Sequence, residues 1–456
     1  MLLERGRLFG TNGIRGKTNE DLTPVTCYHI GLAIGTYFSG GRILLGHDGR
    51  TSSQLIRDAV KVALMETGNR VYDARMVPTP TLQYSVKSMG FDGGVMVTAS
   101  HNPPEYNGIK VVASDGVELP RREEEKIERI FFSKAFKLGE VLEEPVFVSG
   151  LAEKHVEAIL KHVDVELVRE KKFKVVVDPG NGVGVMTTPF VARKLGCKTI
   201  TIHSHVDGRF PGRGPEPVFD SLSDLCKSVK AAGADVGIAH DGDGDRAIFV
   251  DERGRIVWGT YSFALIADWF LEKRKTSIVV PVSFSQVIVD VAEKHGAEVV
   301  WTPVGSIVVA RTMLERGALI GGEENGGVFY APHHPVRDGA MTAALVLHIL
   351  AERGKRLGEL VDELPKYAFV KDKVACPDEK KKEAMRKVEA ELSKKAWRVE
   401  TVDGVKAWID EKTWVLVRPS GTEPILRIYV ESTSEELARK VLASEKSRIA
   451  DLISSA

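Results

Sequence analysis

Apolar residues in the first three quarters of the chain come in short runs separated by stretches of helical spacing. Three segments open with a short aliphatic run that stops at a turn: RILLGHDGR from Arg42, KVVVDPGNG from Lys174 and SIVVPVSFS from Ser277. Each continues through a helical pattern, as in SSQLIRDAVKVALMETG, where apolar positions recur on one face. Each then reaches a second apolar strand entering a conspicuous loop: GGVMVTASHNPP, ADVGIAHDGDGDR and GALIGGEENGG. Strands alternating with helices of this length predict α/β layers in a loose threefold repeat. Ligands in such layers sit beyond the carboxyl ends of strands, which is where the three loops fall. After Tyr367 the pattern changes to a charged helix, alternating strands around VKAWID, TWVLVRPSG and ILRIYVES, and a last helix. That predicts a smaller α+β domain with an antiparallel sheet. Boundaries near Val148, Asp251 and Tyr367 divide the chain into 1–148, 149–251, 252–366 and 367–456. The lysine run Lys380–Lys382 reads as a solvated helix face.

Composition narrows the class of protein. A chain of 456 residues with 43% hydrophobic content is too long for one core, so several domains are expected. Its 63 basic and 63 acidic side chains cancel, giving no electrostatic reason to expect nucleic acid or an anionic membrane. Cys27, Cys197, Cys226 and Cys376 are scattered, form no C-x-x-C pair and read as ordinary buried thiols. MLLERGRLFG lacks an apolar signal region, and the apolar run Ala340 to Leu350 is far shorter than the roughly 20 residues a membrane span needs. A soluble cytoplasmic protein is the expectation. Scarce amides, 3 Gln and 7 Asn, beside abundant charge suggest a thermophilic source. Five of those seven, Asn12, Asn102, Asn107, Asn181 and Asn325, sit in glycine- or proline-punctuated loops.

Four loops carry candidate chemistry. In DGDGDR, Asp241, Asp243 and Asp245 project to one side of extended chain while Gly242 and Gly244 let the backbone bend. Converged carboxylates repel unless a cation sits between them, and oxygen-only ligands suit Mg²⁺ or Ca²⁺. A calcium-loop pattern, with Glu252 at its twelfth position, fails because Arg246 stands where the sharp-turn glycine belongs, so Mg²⁺ is favoured. TASHNPP follows the strand GGVMV, and its Asn-Pro-Pro turn presents Ser100. The G-x-S-x-G setting of a hydrolase nucleophile is absent. A phosphate on Ser100 would bring about −1.5 to −2 charges toward the metal loop, which His101, Lys110, Arg15 and Arg246 could balance. RPSGTEP offers Arg418, the hydroxyls of Ser420 and Thr422, and the backbone N–H groups around Gly421, an inventory suited to a phosphate nest. GEENGG places Glu323 and Asn325 where carboxylate and amide could read sugar hydroxyls. Each loop taken singly is also compatible with a polar turn, and Ser100 with a simple cap.

Together, from FGTNGIRG to RPSGTEP, these motifs resemble the α-D-phosphohexomutase superfamily in order and over the whole chain. The resemblance implies four domains around a central cleft: three related α/β domains with mixed sheets, then an α+β domain similar to the TATA-binding-protein fold. It implies that Ser100 is the phosphoserine and that Asp241, Asp243 and Asp245, with a Ser100 phosphate oxygen, hold Mg²⁺. Arg246, Glu323 and Asn325 are then substrate-binding, and Arg418, Ser420, Gly421 and Thr422 phosphate-binding. Arg15, His101 and Lys110 are the cationic or catalytic groups, with Lys110 the candidate proton shuttle. The implied reaction interconverts hexose 1- and 6-phosphates through a 1,6-bisphosphate, in a monomer or homodimer without nucleic-acid or membrane partners.

Two departures bear on specificity. Gly327 ends the sugar loop and Ser306 follows TPVG, at places where family members often have histidine, so these positions are expected to leave room for water. The expected substrates are mannose and glucose phosphates, with phosphoglucosamine mutase activity the alternative. A phosphoserine phosphatase and a non-catalytic sugar-phosphate sensor are weaker readings, because the full set of loops is intact.

Overall fold

A computed structural model describes residues 7–140, 143–420 and 423–454. The first sheet orders its strands Ile14–Lys17, Tyr106–Ala113, Gly93–Val97, Arg42–His47, Arg70–Met76 and Val146–Phe147. Arg42–His47 runs parallel to both Arg70–Met76 and Gly93–Val97, and Tyr106–Ala113 returns antiparallel beside the latter. The second sheet repeats this plan. Lys174–Asp178 is parallel to Lys198–Thr201 and Val236–His240, and Ala247–Asp251 returns antiparallel. In the third, Ile278–Pro281 is parallel to Val299–Thr302 and Ile320–Gly322, and Val328–Tyr330 returns antiparallel. Residues 98–105, 241–246 and 323–327 fill the same turn in each unit, between the last parallel strand and its return. The threefold repeat is therefore real, and it brings the three chemistry-bearing loops to one kind of sheet edge.

Aliphatic runs explain the parallel strands. VVV in Lys174–Asp178 and ILL in Arg42–His47 are buried on both faces, as strands covered by helices on two sides must be. The second and third units share one core, in which Val175, Ile238 and Phe249 pack with Phe263, Ile278 and Ile320. Helix Gly339–Arg353 is buried from Gly339 to Ala351 and lies inside that core. Its apolar run is thus a core helix, and no described helix is long and apolar enough to cross a membrane. The second sheet extends beyond Asp251, because Phe249 pairs with Val257 of the edge strand Ile256–Val257. A boundary at Asp251 would cut that strand away.

The fourth sheet is wholly antiparallel, in the order Ala368–Ala375, Ile425–Ser432, Trp414–Pro419, Val405–Trp408, Arg398–Glu400. Its helices Asp378–Ser393 and Glu435–Ser454 complete a separate core with Val415, Val417 and Ile428. Lys406 fixes the unit to the third: its ammonium lies 4.0 Å from the Trp414 ring centre and 4.5 Å from that of Trp301, and donates to Val282 O at 3.0 Å. The first unit is tied to the third through Arg311, which bonds Asp115 and the carbonyls of Val117 and Glu118.

Candidate active site

Ser100 lies just past the strand Gly93–Val97, fully buried, in left-handed backbone with φ 53°. A non-glycine residue pays for that conformation, so the surrounding contacts must impose it. They do so densely. Ser100 N donates to Thr98 Oγ1 at 2.8 Å, and Thr98 in turn donates to Asp48 at 2.7 Å. Arg50, paired with Asp48 at 3.2 Å, donates to the carbonyls of Ser100, Asn102, Pro103 and Tyr106 at 2.6–2.9 Å. One guanidinium thereby pins the backbone of the whole loop. Arg50 and Asp48 belong to GHDGR, read from the sequence only as a turn.

The Ser100 hydroxyl donates to Asp241 Oδ2 at 2.8 Å and lies 3.2 Å from His101 Nδ1. Asp241, Asp243 and Asp245 bring one oxygen each within 4.8 Å of one another, all buried. Gly244, at φ 76°, supplies the bend. Each of Asp243 and Asp245 has one oxygen engaged and one orphaned. Asp243 Oδ2 accepts from Lys110 Nζ at 2.8 Å and Thr79 Oγ1 at 2.7 Å, and Asp245 Oδ2 accepts from Arg337 at 2.5 Å. The Oδ1 atoms of both accept no hydrogen bond, although Arg246 Nε stands 3.8 Å from that of Asp245. Burial, then the neighbouring Asp245 and Asp243, push the Asp241 carboxyl well above its usual range. Burial acts the same way on Asp243, but Lys110, Thr79 and Arg337 together outweigh it and hold that carboxyl below the usual range. Orphaned buried carboxylate oxygens and an all-oxygen donor set fit a hard divalent cation.

Cationic side chains also gather at this loop and the aspartates. Burial, joined by Arg246, Arg15 and Arg337, pushes the His101 imidazole well below its ordinary range. Burial also brings the Arg15 guanidinium down to about 10, with Asp243 opposing and Arg246 and Arg337 adding to the fall. Arg15 donates to Asn102 at 2.6 Å. Arg246 N–H caps Asp241 Oδ1 at 3.1 Å, while its buried side-chain Nε makes no hydrogen bond and stands 3.8 Å from both Asp241 Oδ2 and Asp245 Oδ1. Burial works against the charge on Lys110, yet Asp243 and Asp245 raise its pKa overall, so it is an ammonium. Arg15 on Asn102, Lys110 on Asp243 and Arg246 near Asp241 are cationic groups with which an anionic phosphate could pair.

From the third unit, Glu323 Oε2 accepts from Arg337 at 2.9 Å, and Asn325 Oδ1 accepts from Gly327 N at 3.2 Å. In the fourth, Arg418 pairs with Asp403 at 3.0 Å, and buried Ser420 accepts from Glu423 N at 3.1 Å. Gly421 and Thr422 lie outside the described residues. Asp403 also accepts from Val304 N at 3.0 Å, joining the Arg418 loop to the third unit. Lys381 corrects the reading of its lysine run as a solvated face: its ammonium donates to the carbonyls of Ser420 and Glu423 at 2.7 and 2.6 Å.

Four profiles described as phosphoglucomutase/phosphomannomutase match along the chain: α/β/α domain I at residues 6–138, domain II at 153–254, domain III at 258–367 and the C-terminal domain at 373–447. The chain belongs to the phosphoglucomutase/phosphomannomutase family. It is accordingly a phosphohexomutase, an isomerase. A phosphoglucosamine/phosphogalactosamine mutase of Sulfurisphaera tokodaii is 44% identical over 449 residues, 96% of this chain and 98% of the relative. A phosphoglucomutase/phosphomannomutase of Thermococcus kodakarensis is 43% identical over 449 residues, 96% of this chain and 97% of the relative. The crystal structure of a phosphoglucomutase/phosphomannomutase family protein from Burkholderia thailandensis superposes with TM-score 0.86 at 27% identity, covering 98% and 97% of the two chains.

In this phosphohexomutase neither specificity position is the open space expected. A Cβ on Gly327 would meet Arg337 Cδ at 2.4 Å, so the glycine makes way for the arginine that ties Glu323 to Asp245. Ser306 Oγ accepts from Asn12 Nδ2 at 3.0 Å and joins the third unit to the first. Arg337 itself went unread, although PVRDG stands just before an apolar helix; its partners lie far away in sequence.

Proposed function

We propose that the enzyme interconverts hexose 1-phosphate and hexose 6-phosphate through a phosphorylated Ser100 and a bound hexose 1,6-bisphosphate. The observation that carries this reading is the Ser100 hydroxyl, held in left-handed backbone 2.8 Å from Asp241 of the buried aspartate trio. Asp241, Asp243 and Asp245, with a phosphate oxygen on Ser100, would hold Mg²⁺. Bound there, the ion neutralises charge on the transferring phosphoryl group.

The chain's own groups do the rest. Arg15 and Arg246 hold phosphate oxygens, and His101 orients the Ser100 oxygen. Glu323 accepts from neighbouring sugar hydroxyls, a task suited to a carboxylate, and Asn325 adds an amide. Arg418, Ser420, Gly421 and Thr422 hold the distal phosphate. As the bond from phosphorus to Ser100 Oγ breaks, a bond forms to the sugar hydroxyl oxygen. Lys110 begins as the ammonium favoured by Asp243 and Asp245, so it gives a proton to the departing serine oxygen and regains one from the attacking hydroxyl. The bisphosphate then turns end for end, and its other phosphate returns to Ser100.

Glucose, mannose and glucosamine phosphates are the proposed substrates. Gly327 offers no side chain, so it gives the sugar no dedicated donor, and Ser306 Oγ already accepts from Asn12. Relatives of nearly equal identity named for different sugars support the same breadth. Discrimination without a dedicated polar partner is about 10–200-fold. Measuring kcat/KM for the three 1-phosphates in wild type and Ser100→Ala tests the proposal. Turnover of all three within that range, abolished in the variant, is expected. Inert sugars, or a variant as active as wild type, would overturn it.

A further inference from the structure

Away from the aspartate trio, helix Leu151–Leu160, helix Thr79–Ser88 and the strand His334–Arg337 bring imidazoles and a carboxylate together in the interior. His155 Nε2 lies 3.2 Å from His333 Nε2 and 2.9 Å from Asp338 Oδ2, and the last two atoms are 3.6 Å apart. A tetrahedral ion with bonds of roughly 2.0–2.1 Å needs ligand atoms about 3.3 Å apart. The three atoms therefore form one face of such a tetrahedron with little movement. Their side chains are 0–3% exposed.

Partners outside the triangle point the same atoms inward. Thr81 Oγ1 lies 2.9 Å from His155 Nδ1, engaging that ring's far nitrogen. Asp338 Oδ1 accepts from the N–H groups of Ala340 and Met341 at 3.0 and 3.1 Å, which leaves Oδ2 facing the imidazoles. The Tyr84 ring stacks on both, with centres 5.3 Å from His155 and 5.0 Å from His333. Metal-binding histidines have this kind of support, with the far nitrogen engaged, as in His155, and the ring plane fixed, as in both. A hydrogen-bonded cluster is the competing account. It must leave at least one of the two Nε2 atoms unprotonated, since two N–H groups directed at each other at 3.2 Å would collide.

We propose that His155, His333 and Asp338 form a second metal site of the nitrogen-rich class that takes Zn²⁺, with water in the fourth position. The ion joins helix Leu151–Leu160 to the segment that carries Arg337. That strand thus runs from the zinc site to the aspartate trio, since Arg337 precedes Asp338 and bonds Asp245. The role is structural: it fixes the strand end that positions Arg337.

Co²⁺ is the probe, added to chelator-stripped enzyme in excess Mg²⁺ so that the oxygen-only trio is filled. The expected result is about one Co²⁺ per chain with the intense visible bands of four-coordinate nitrogen ligation. Those bands should be missing from His333→Gln. Zn²⁺ should raise the thermal midpoint of stripped wild type and leave that of the variant unmoved. Wild-type enzyme without four-coordinate bands would overturn the proposal whether or not the variant folds, as would equal Co²⁺ binding by both proteins.

Discussion

Arg337 bonds Glu323 with one guanidinium nitrogen and Asp245 with another, at 2.9 and 2.5 Å, in a buried setting. Removing it strands two buried carboxylates, and an uncompensated buried charge costs about 3–5 kcal/mol. Arg337→Met should therefore lower unfolding stability by about that amount in denaturant melts, more than Glu323→Gln does. Asp243 invites a different test, because its Oδ1 accepts no hydrogen bond and is free for the proposed cation while Oδ2 serves Lys110. Asp243→Asn should cut kcat by about 10²–10³-fold, the loss seen when one preorganised partner of developing charge is removed. It should also shift the Mg²⁺ activation curve to higher concentration. Unchanged Mg²⁺ dependence would remove Asp243 from the site. Ser100 and the aspartates were legible because each motif holds its own geometry within a few residues. Arg50 and Arg337 were not, because their partners come from other loops and nothing local marks an arginine as a clamp.

At the scale of elements, helix Gly339–Arg353 buttresses the aspartate loop. Gly339 N donates to Gly244 O, and a Cβ at Gly339 would meet Arg246 O and His240 Nδ1 at 2.6 Å and Gly244 O at 2.9 Å. Gly339→Ala must push the helix off the loop, an overpacking cost of about 1–3 kcal/mol. Thermal melts should register that loss, and Mg²⁺ titration should show weaker binding in the same variant. The strand and helix pattern was readable because strands buried on both faces are aliphatic throughout and the plan repeats three times. The edge strand Ile256–Val257 escaped because two residues carry no periodicity. Lys381 was misread for a related reason: the charge run fixes the exposed helix side only on average, and this lysine reaches across to the Ser420 turn.

Across the whole molecule, the Arg418 segment of the fourth unit reaches the third through Asp403, which accepts from both Arg418 and Val304 N. The proposed clamp on the distal phosphate thus depends on how two units dock, which no single-segment pattern could reveal. Arg418→Ala should raise KM with little change in kcat, because the distal phosphate is held in ground and transition states alike. A charge-assisted contact of about 1.5–3 kcal/mol sets the scale of that rise. An unchanged KM would remove the clamp assignment. The central claim is that phosphate travels between sugar and Ser100 inside this cleft. Enzyme carrying labelled phosphate, freed of small molecules and mixed with unlabelled hexose 6-phosphate, tests it most directly. The label should map to Ser100 by peptide mass spectrometry, move to the sugar within turnovers, and never form on Ser100→Ala. Label on another residue, or released as inorganic phosphate instead of sugar phosphate, would contradict the account.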